Sequence, residues 1–438
     1  MNFLIKKFSS ILLIISFFLL IYTFYKSEFI YDGYNRNYSK TYYLVSSILI
    51  FLSIIAFFIN DKIKQYLIIS GISLIISIYL FEGYLTFKKQ RLNNHSYKPL
   101  LKKRLYENQT GNKWDRRKKI EIYNELIKIN KKVVVNAGPS NYLSKNNYSI
   151  FPLSGISNSK TIYCNENGNY SIYQSDRYGF NNPDWEWDKK KIEYLLVGDS
   201  YAHGACVNRP NDISSVLRNL SNKSVLNLGQ GGNGPLIEYA TLREYLNTNV
   251  KKVLWIYYEG NDLINLINEK DNKFLINYLN DLNFTQNLKF KQNEIDDLAI
   301  NIIIKKEKVS ATFISKLIQF IRITNTRILI FPPREPAPVP EFKKILQLTK
   351  KITNKSNSKL YFMYLPEYRR YKINYDNTNY NLVKNIVTEL NIPFIDIHKE
   401  VFEKEQNPLK LFPFELPGHY NVEGYKKVAE IIYKFTKD

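Results

Sequence analysis

The chain has 438 residues, 45% of them hydrophobic, and a formal charge of +22; so much apolar content sustains a packed core and excludes an intrinsically disordered protein. The charge invites a nucleic-acid reading, yet no Walker loop, zinc-type Cys/His spacing, RNA-binding aromatic signature or internal repeat accompanies it. Lys and Arg crowd instead into "KKQRLNNHSYKPLLKKR" and "KWDRRKK", at 88–119 just beyond the last long apolar run, where anionic lipid headgroups are the simpler partner.

Three apolar runs, 8–25, 42–59 and 66–87, come first, and only Glu82 interrupts the third. Each reaches the roughly 18 residues a bilayer requires, and a membrane core without water forces such runs into helices. Three in succession argue against a cleavable signal peptide. The expectation is a transmembrane anchor over 1–87.

Residues 88–190 read as a basic connector and a loop-rich accessory segment. "WDRRKKIEIYNELIKIN" sets apolar residues at helical spacing behind a cationic face, and "KKVVVN" offers a short strand. The turn-rich stretches "NAGPSNYL", "FPLSGISNSK" and "CNENGNYSIYQSDRYGFNNPDWEW" follow.

From 191 to 438 strands alternate with helices, which implies parallel pairing and covered sheet faces. Strands are predicted at 193–197, 225–228, 253–257, 360–365 and 394–397, and helices near 213–220, 236–246, 342–353, 380–390 and 424–435. This pattern predicts a three-layer α/β/α sandwich on a five-stranded parallel sheet, with ligands bound beyond the carboxyl ends of the strands. Residues 263–340 are too long for an ordinary connection and read as an inserted subdomain or lid.

Ser200 follows the first of these strands in "KIEYLLVGDSYAHGACV", at the carboxyl edge where a nucleophile belongs, although a Gly-Asp-Ser turn alone is equally a helix cap. "NLGQGGNGP" follows the second strand, "YYEGND" the third, and "GHYNVEGY" precedes the last helix. Four blocks in this order resemble the SGNH, or GDSL-type, hydrolases, whose sandwich is flavodoxin-like; the resemblance covers about 195–438. It implies Ser200 as nucleophile, His419 as base, and an oxyanion hole made by the N–H groups of Ser200 and Gly232 with the Asn261 amide. It implies no cofactor, and no residues cluster at metal-ligand spacing. The family's acid stands three residues before its histidine, but that position here is Leu416. Glu415 is therefore the candidate orienter, with a Ser–His dyad and Asp396 as alternatives. His203, His398, Asp199 and Asp262 read as structural.

More widely, "PLSGISNSKTIYCNENG", "DRYGFNN" and the multi-helix anchor resemble bacterial membrane-anchored SGNH proteins of cell-envelope polysaccharide systems. That implies an integral inner-membrane ester hydrolase or O-acyltransferase acting on acyl, chiefly acetyl, groups of envelope glycans. Its partners are then an acylated glycan or other ester and membrane lipid, not nucleic acid. Trp185, Trp187 and Tyr201 suit sugar stacking and equally suit packing. The alternative is a noncatalytic envelope-assembly or glycan-binding protein on the same scaffold, favoured by the irregular acid position.

The only two cysteines are Cys164 and Cys206, either two buried thiols or, in an oxidising compartment, one disulfide. With an inside N terminus, flanking Lys and Arg number about four inside and roughly ten outside, so the positive-inside rule favours a cytoplasmic catalytic domain. The resemblance to exported glycan-modifying proteins points the other way. The expectation adopted is an extracytoplasmic domain with a Cys164–Cys206 disulfide, whose Cα atoms would lie within about 7 Å.

Overall fold

The computed structural model describes residues 2–30, 36–94, 97–143, 148–246, 249–308, 313–330, 337–372 and 375–437. It divides into two compact units, one of Met1–Asn94 with Ala311–Pro333 and one of His95–Ser310 with Arg334–Asp438.

The first unit contains helices α1 (Asn2–Phe24), α2 (Arg36–Ile55) and α3 (Asp61–Asn94). Two helical stretches, Phe3–Phe29 and Asp61–Lys88, are long and apolar enough to cross a membrane, whereas the apolar part of α2, Ser39–Ile55, is shorter. Among the described residues, two such helices therefore stand where three were expected. The difference is local: the helix tightens at its end, with Phe57 and Phe58 N–H groups donating to Ile54 and Ile55 carbonyls, and the Asn60 side chain accepts from Ile63 N–H (2.9 Å) to open α3. Ser9, Ser16 and Thr23 on α1 and Ser39, Ser46 and Ser53 on α2 are buried at seven-residue spacing, a stripe of small residues that lets two helices approach closely. Ser9 donates to the Ala56 carbonyl (2.7 Å), and Ser16, Thr23, Ser46 and Ser53 each donate to a carbonyl of their own helix (2.7–2.8 Å).

The insertion expected at 263–340 is split between the units. Helices Asp262–Glu269, Lys273–Asn280 and Gln292–Lys308 belong to the second unit, whereas α4 (Phe313–Ile321) and α5 (Thr324–Ile330) belong to the first. Its Pro-rich end, 331–336, lies outside the described residues.

The second unit has a small sheet of β1 (Val133–Val135), β2 (Lys160–Ile162) and β3 (Ile172–Gln174), parallel and then antiparallel. Its main sheet holds β4 (Ile192–Gly198), β5 (Val225–Asn227), β6 (Val250–Tyr258), β7 (Lys359–Leu365) and β8 (Phe394–Asp396), ordered β5-β4-β6-β7-β8. All four pairings are parallel. Strand alternation sends Tyr194, Leu196, Leu254 and Met363 into one core with Leu217 and Val428 of the helices Ile213–Ser221 and Val422–Thr436. On the opposite side, Phe342 of helix Pro340–Lys355 packs its ring on Tyr257 and Phe362. The sheet is thus the middle of three layers, and the strand order reverses beside β4, where α/β sheets open a crevice.

Candidate active site

β4 ends at Gly198, and Asp199 begins the short helix Ser200–His203 by accepting from Tyr201 N–H (2.8 Å). That cap holds Ser200 at the carboxyl edge of the sheet. His419 stands three residues before helix Val422–Thr436, which Asn421 caps by accepting from Gly424 N–H (2.9 Å). The two fixed ends bring His419 Nε2 to 2.9 Å from Ser200 Oγ. Ser200 Oγ also lies 3.2 Å from an Asp199 carboxylate oxygen.

The acid facing the imidazole is Glu166. One of its oxygens is 3.2 Å from His419 Nδ1, and the other accepts the His419 backbone N–H at 2.7 Å. Both ring nitrogens of His419 are thereby committed, Nδ1 to a carboxylate and Nε2 to the serine. Glu415 is elsewhere: its carboxylate accepts from Asn407 (3.1 Å) and its carbonyl from the Tyr368 hydroxyl (2.8 Å). Left-handed backbone at Phe414 and Glu415, φ +57° in each, turns the chain there. Asp396 is also occupied, accepting from Tyr380 (2.5 Å) and from Lys399 N–H (3.2 Å) at a helix start.

Glu166 is held by its surroundings. Two residues earlier Cys164 is joined to Cys206 by a disulfide with Cα atoms 5.0 Å apart, and one residue later the Asn167 amide donates to the Cys206 carbonyl (3.0 Å). Lys102, on helix Tyr97–Thr110, places Nζ 3.8 Å from Glu166. A Cβ on Gly418 would fall 2.2 Å from the Glu166 carboxylate and 2.8 Å from Lys102 Nζ, so a side chain there would push both groups from their places. Burial alone would raise the Glu166 carboxyl, but the His419 hydrogen bond and the charges of His419 and Lys102 bring it below the usual carboxylate range. Burial lowers the Lys102 ammonium, partly offset by Glu166.

The expected oxyanion donors lie on loops at the carboxyl ends of β4, β5 and β6. Gly232 has φ +82°, and a Cβ there would come 2.7 Å from Ser140 Oγ, so both backbone conformation and the neighbouring loop demand glycine. Glu269 steadies this loop by accepting from the N–H groups of Leu236 (2.9 Å) and Ile237 (3.3 Å) at the start of helix Pro235–Tyr245; burial pushes its carboxyl up to about 7. Asn261 precedes helix Asp262–Glu269, and its side chain does not cap it. Asp262 turns back to accept Tyr258 N–H (2.8 Å).

The "DRYGFNN" stretch fastens the accessory loops to this edge. Asp176 accepts from Trp187 Nε1 (2.7 Å), Asn182 (2.8 Å) and the N–H groups of Tyr178 and Phe180 (2.9 Å each). Asn182 also pairs with Asn227 of β5, and Asn181 donates to the His203 carbonyl (2.9 Å). Trp187 is therefore a packing residue, and Tyr201 is buried, stacked on Tyr258 with ring centroids 4.1 Å apart. Of the three aromatics considered for sugar stacking only Trp185, 63% exposed, remains available.

Donor atoms of Glu166, Cys206 and His419 lie within 4.8 Å of one another. Such a trio can resemble a metal site, but the Cys206 sulfur is bonded in the disulfide and the imidazole is shared between Glu166 and Ser200.

His203 is structural, buried against Tyr163 with ring centroids 4.4 Å apart; among the described residues neither ring nitrogen has a hydrogen-bond partner. Burial, and secondarily the His419 charge, push its imidazole down to about 3. The unfolded chain binds a proton at this residue below about pH 6.5 and the folded chain does not, so stability falls as pH drops from about 6.5 toward 3, by on the order of 4 kcal/mol. His203→Phe is expected to flatten that acid limb in melting curves taken from pH 7 to 4. Parallel losses in variant and parent would assign the limb to other groups.

No family model and no curated protein sequence matches the chain. Among solved structures it is similar to a "putative lipolytic protein of G-D-S-L family from Desulfitobacterium hafniense DCB-2", with 14% identity and a TM-score of 0.33, over 56% of this chain and 99% of that one.

Proposed function

We propose that the protein is a membrane-anchored serine ester hydrolase or O-acyltransferase of SGNH type, acting on acyl groups, chiefly acetyl, of cell-envelope glycans. The observation that carries the chemistry is the Ser200–His419–Glu166 hydrogen-bond chain. A serine hydroxyl is a weak nucleophile without a base within hydrogen-bond reach, and an imidazole needs a carboxylate on its far nitrogen to keep the productive tautomer. The irregular acid position that favoured a noncatalytic scaffold no longer does so, because Glu166 stands in that role. Glycan and envelope rest on the resemblance of the flanking segments.

In the first half-reaction His419 Nε2 takes the Ser200 proton as Oγ bonds to the ester carbonyl carbon. The imidazolium, steadied by Glu166, then protonates the departing sugar oxygen, leaving an acyl-serine. Water or a sugar hydroxyl next gives its proton to His419 and attacks the acyl carbon, and the imidazolium returns that proton to Ser200 Oγ as the acyl–oxygen bond breaks. Charge on the carbonyl oxygen is met by the N–H groups of Ser200 and Gly232 and by the Asn261 amide, preorganised donors that cost no rearrangement during reaction. Asn261→Ala is accordingly expected to lower kcat by about 100-fold with little change in KM; a variant changed in KM alone would remove Asn261 from the oxyanion hole.

Anchoring is supported by the two long apolar helices, with the basic 88–119 segment at the lipid surface. The disulfide supports an oxidising, extracytoplasmic side for the catalytic unit. The test is release of acetate from O-acetylated polysaccharide by the purified full chain, with an unacetylated oligosaccharide added and followed by mass spectrometry. Free acetate indicates hydrolysis and an acetylated oligosaccharide indicates transfer. Neither product, together with no turnover of a simple aryl acetate, would contradict the proposal.

A further inference from the structure

Glu82 is wholly buried in α3, although Leu80, Phe81 and Tyr84 beside it are exposed. Its carboxylate is met entirely from α5: one oxygen accepts from the Asn325 N–H (3.1 Å) and side-chain amide (2.9 Å), the other from the Thr326 N–H and hydroxyl (2.8 Å each). Asn325 also donates to Thr86 (3.0 Å), and the Tyr79 hydroxyl donates to the Ile321 carbonyl (3.0 Å) at the end of α4. Residues some 240 positions apart in sequence thus form one polar clasp between α3 and the junction of α4 with α5.

A carboxylate inside a spanning helix must find protein donors, because the hydrocarbon offers none. This clasp provides four. α4 exposes Leu317, Ile318 and Ile321 and α5 exposes Ile328, Leu329 and Ile330, with Gln319, Arg322 and Arg327 exposed among them. α4 has nine residues, about 13 Å at 1.5 Å per residue, too short for a hydrocarbon core of about 30 Å. Both ends of this helix pair lead back into the second unit, so the chain must leave on the side it entered. Tyr79 and Glu82 precede Phe87, where the apolar run of α3 gives way to Lys88 and Lys89, by roughly 12 and 7 Å of helix.

From these observations we infer that α4–α5 is a re-entrant membrane hairpin. It dips into one leaflet, turns at the level of Tyr79 and Glu82, and lays its apolar side chains against phospholipid acyl chains. Arg322 and Arg327, both exposed, reach with their long stems toward the headgroup level. The second unit is then tied to the bilayer at two places in its sequence, ahead of residue 95 and through this insertion. The inference rests on reading α3 as a membrane span.

The test places a nitroxide on single added cysteines in the full chain, reconstituted in nanodiscs of phosphatidylcholine and phosphatidylglycerol, and compares relaxation by oxygen and by a water-soluble nickel chelate. Leu329→Cys reports on the hairpin, Ile75→Cys on α3 and Lys223→Cys on water. The first two labels are expected to be oxygen-accessible and nickel-shielded, the third the reverse. A nickel-accessible label at 329 with a shielded label at 75 would overturn the hairpin while leaving the anchor standing; nickel access at 75 would overturn the anchor and the hairpin with it. Adding Glu82→Ala is expected to release the label at 329 to nickel without moving that at 75, and an unmoved label at 329 would overturn the clasp.

Discussion

Ser200→Ala and His419→Ala are each expected to lower ester turnover by about 10³-fold or more, and the double variant to be little slower than either. Nucleophile and base act as one unit: without Oγ there is no acyl-enzyme, and without Nε2 at 2.9 Å the hydroxyl keeps its proton. The alanine at 200 leaves the Asp199 cap on Tyr201 intact, so near-ultraviolet circular dichroism should match the parent. Initial rates on an aryl acetate over a wide enzyme range measure the loss. Full activity in Ser200→Ala would remove this serine from the chemistry.

Glu166→Gln is expected to cost about 10²–10⁴-fold in kcat, whereas Glu415→Gln should stay within a few-fold of the parent. The amide that replaces Glu166 keeps its bulk but can present an N–H to His419 Nδ1. That would force the ring proton onto Nε2, where it blocks transfer from Ser200, and would remove the negative charge that steadies the imidazolium. Among the described residues the Glu415 carboxylate meets Asn407, and the Tyr368 hydroxyl bonds the backbone carbonyl, which the variant keeps. A Glu415 variant crippled while Glu166→Gln stays active would reverse the assignment.

Where periodicity and strand-end position carry the information, the sequence was legible. The five strands of the main sheet and the helices between them fall within a few residues of expectation, because parallel strands buried on both faces read as apolar runs bounded by turns. Ser200 at a strand end and His419 before the last helix are marked by position and by the family resemblance, and the structure brings their side chains to 2.9 Å. The carboxylate beside His419 is not so marked, because Glu166 belongs to a loop 253 residues before His419 and no local spacing encodes that contact. One signal did exist. A Cys164–Cys206 link brings the neighbourhood of residue 164 beside Ser200, and the carboxylate of "CNENG" is Glu166. The anchor was partly misread for another reason: average hydropathy over 42–59 hides where the helix ends, while the seven-residue recurrence of Ser and Thr on α1 and α2 was present and is a packing stripe. The 263–340 stretch reads as an inserted subdomain or lid, and its contact with α3 is invisible to local spacing because Glu82 and Asn325 are over 240 residues apart.

The most direct measurement is labelling of the purified full chain with a fluorophosphonate probe, followed by mapping of the modified peptide by mass spectrometry. The probe phosphonylates a serine only where a base removes its proton and an oxyanion hole receives the phosphoryl oxygen. The expected result is stoichiometric modification confined to Ser200, abolished in His419→Ala and strongly slowed in Glu166→Gln. An unmodified Ser200 in folded protein, or a label carried by another serine, would contradict the assignment of this site as a serine acyl-transfer centre.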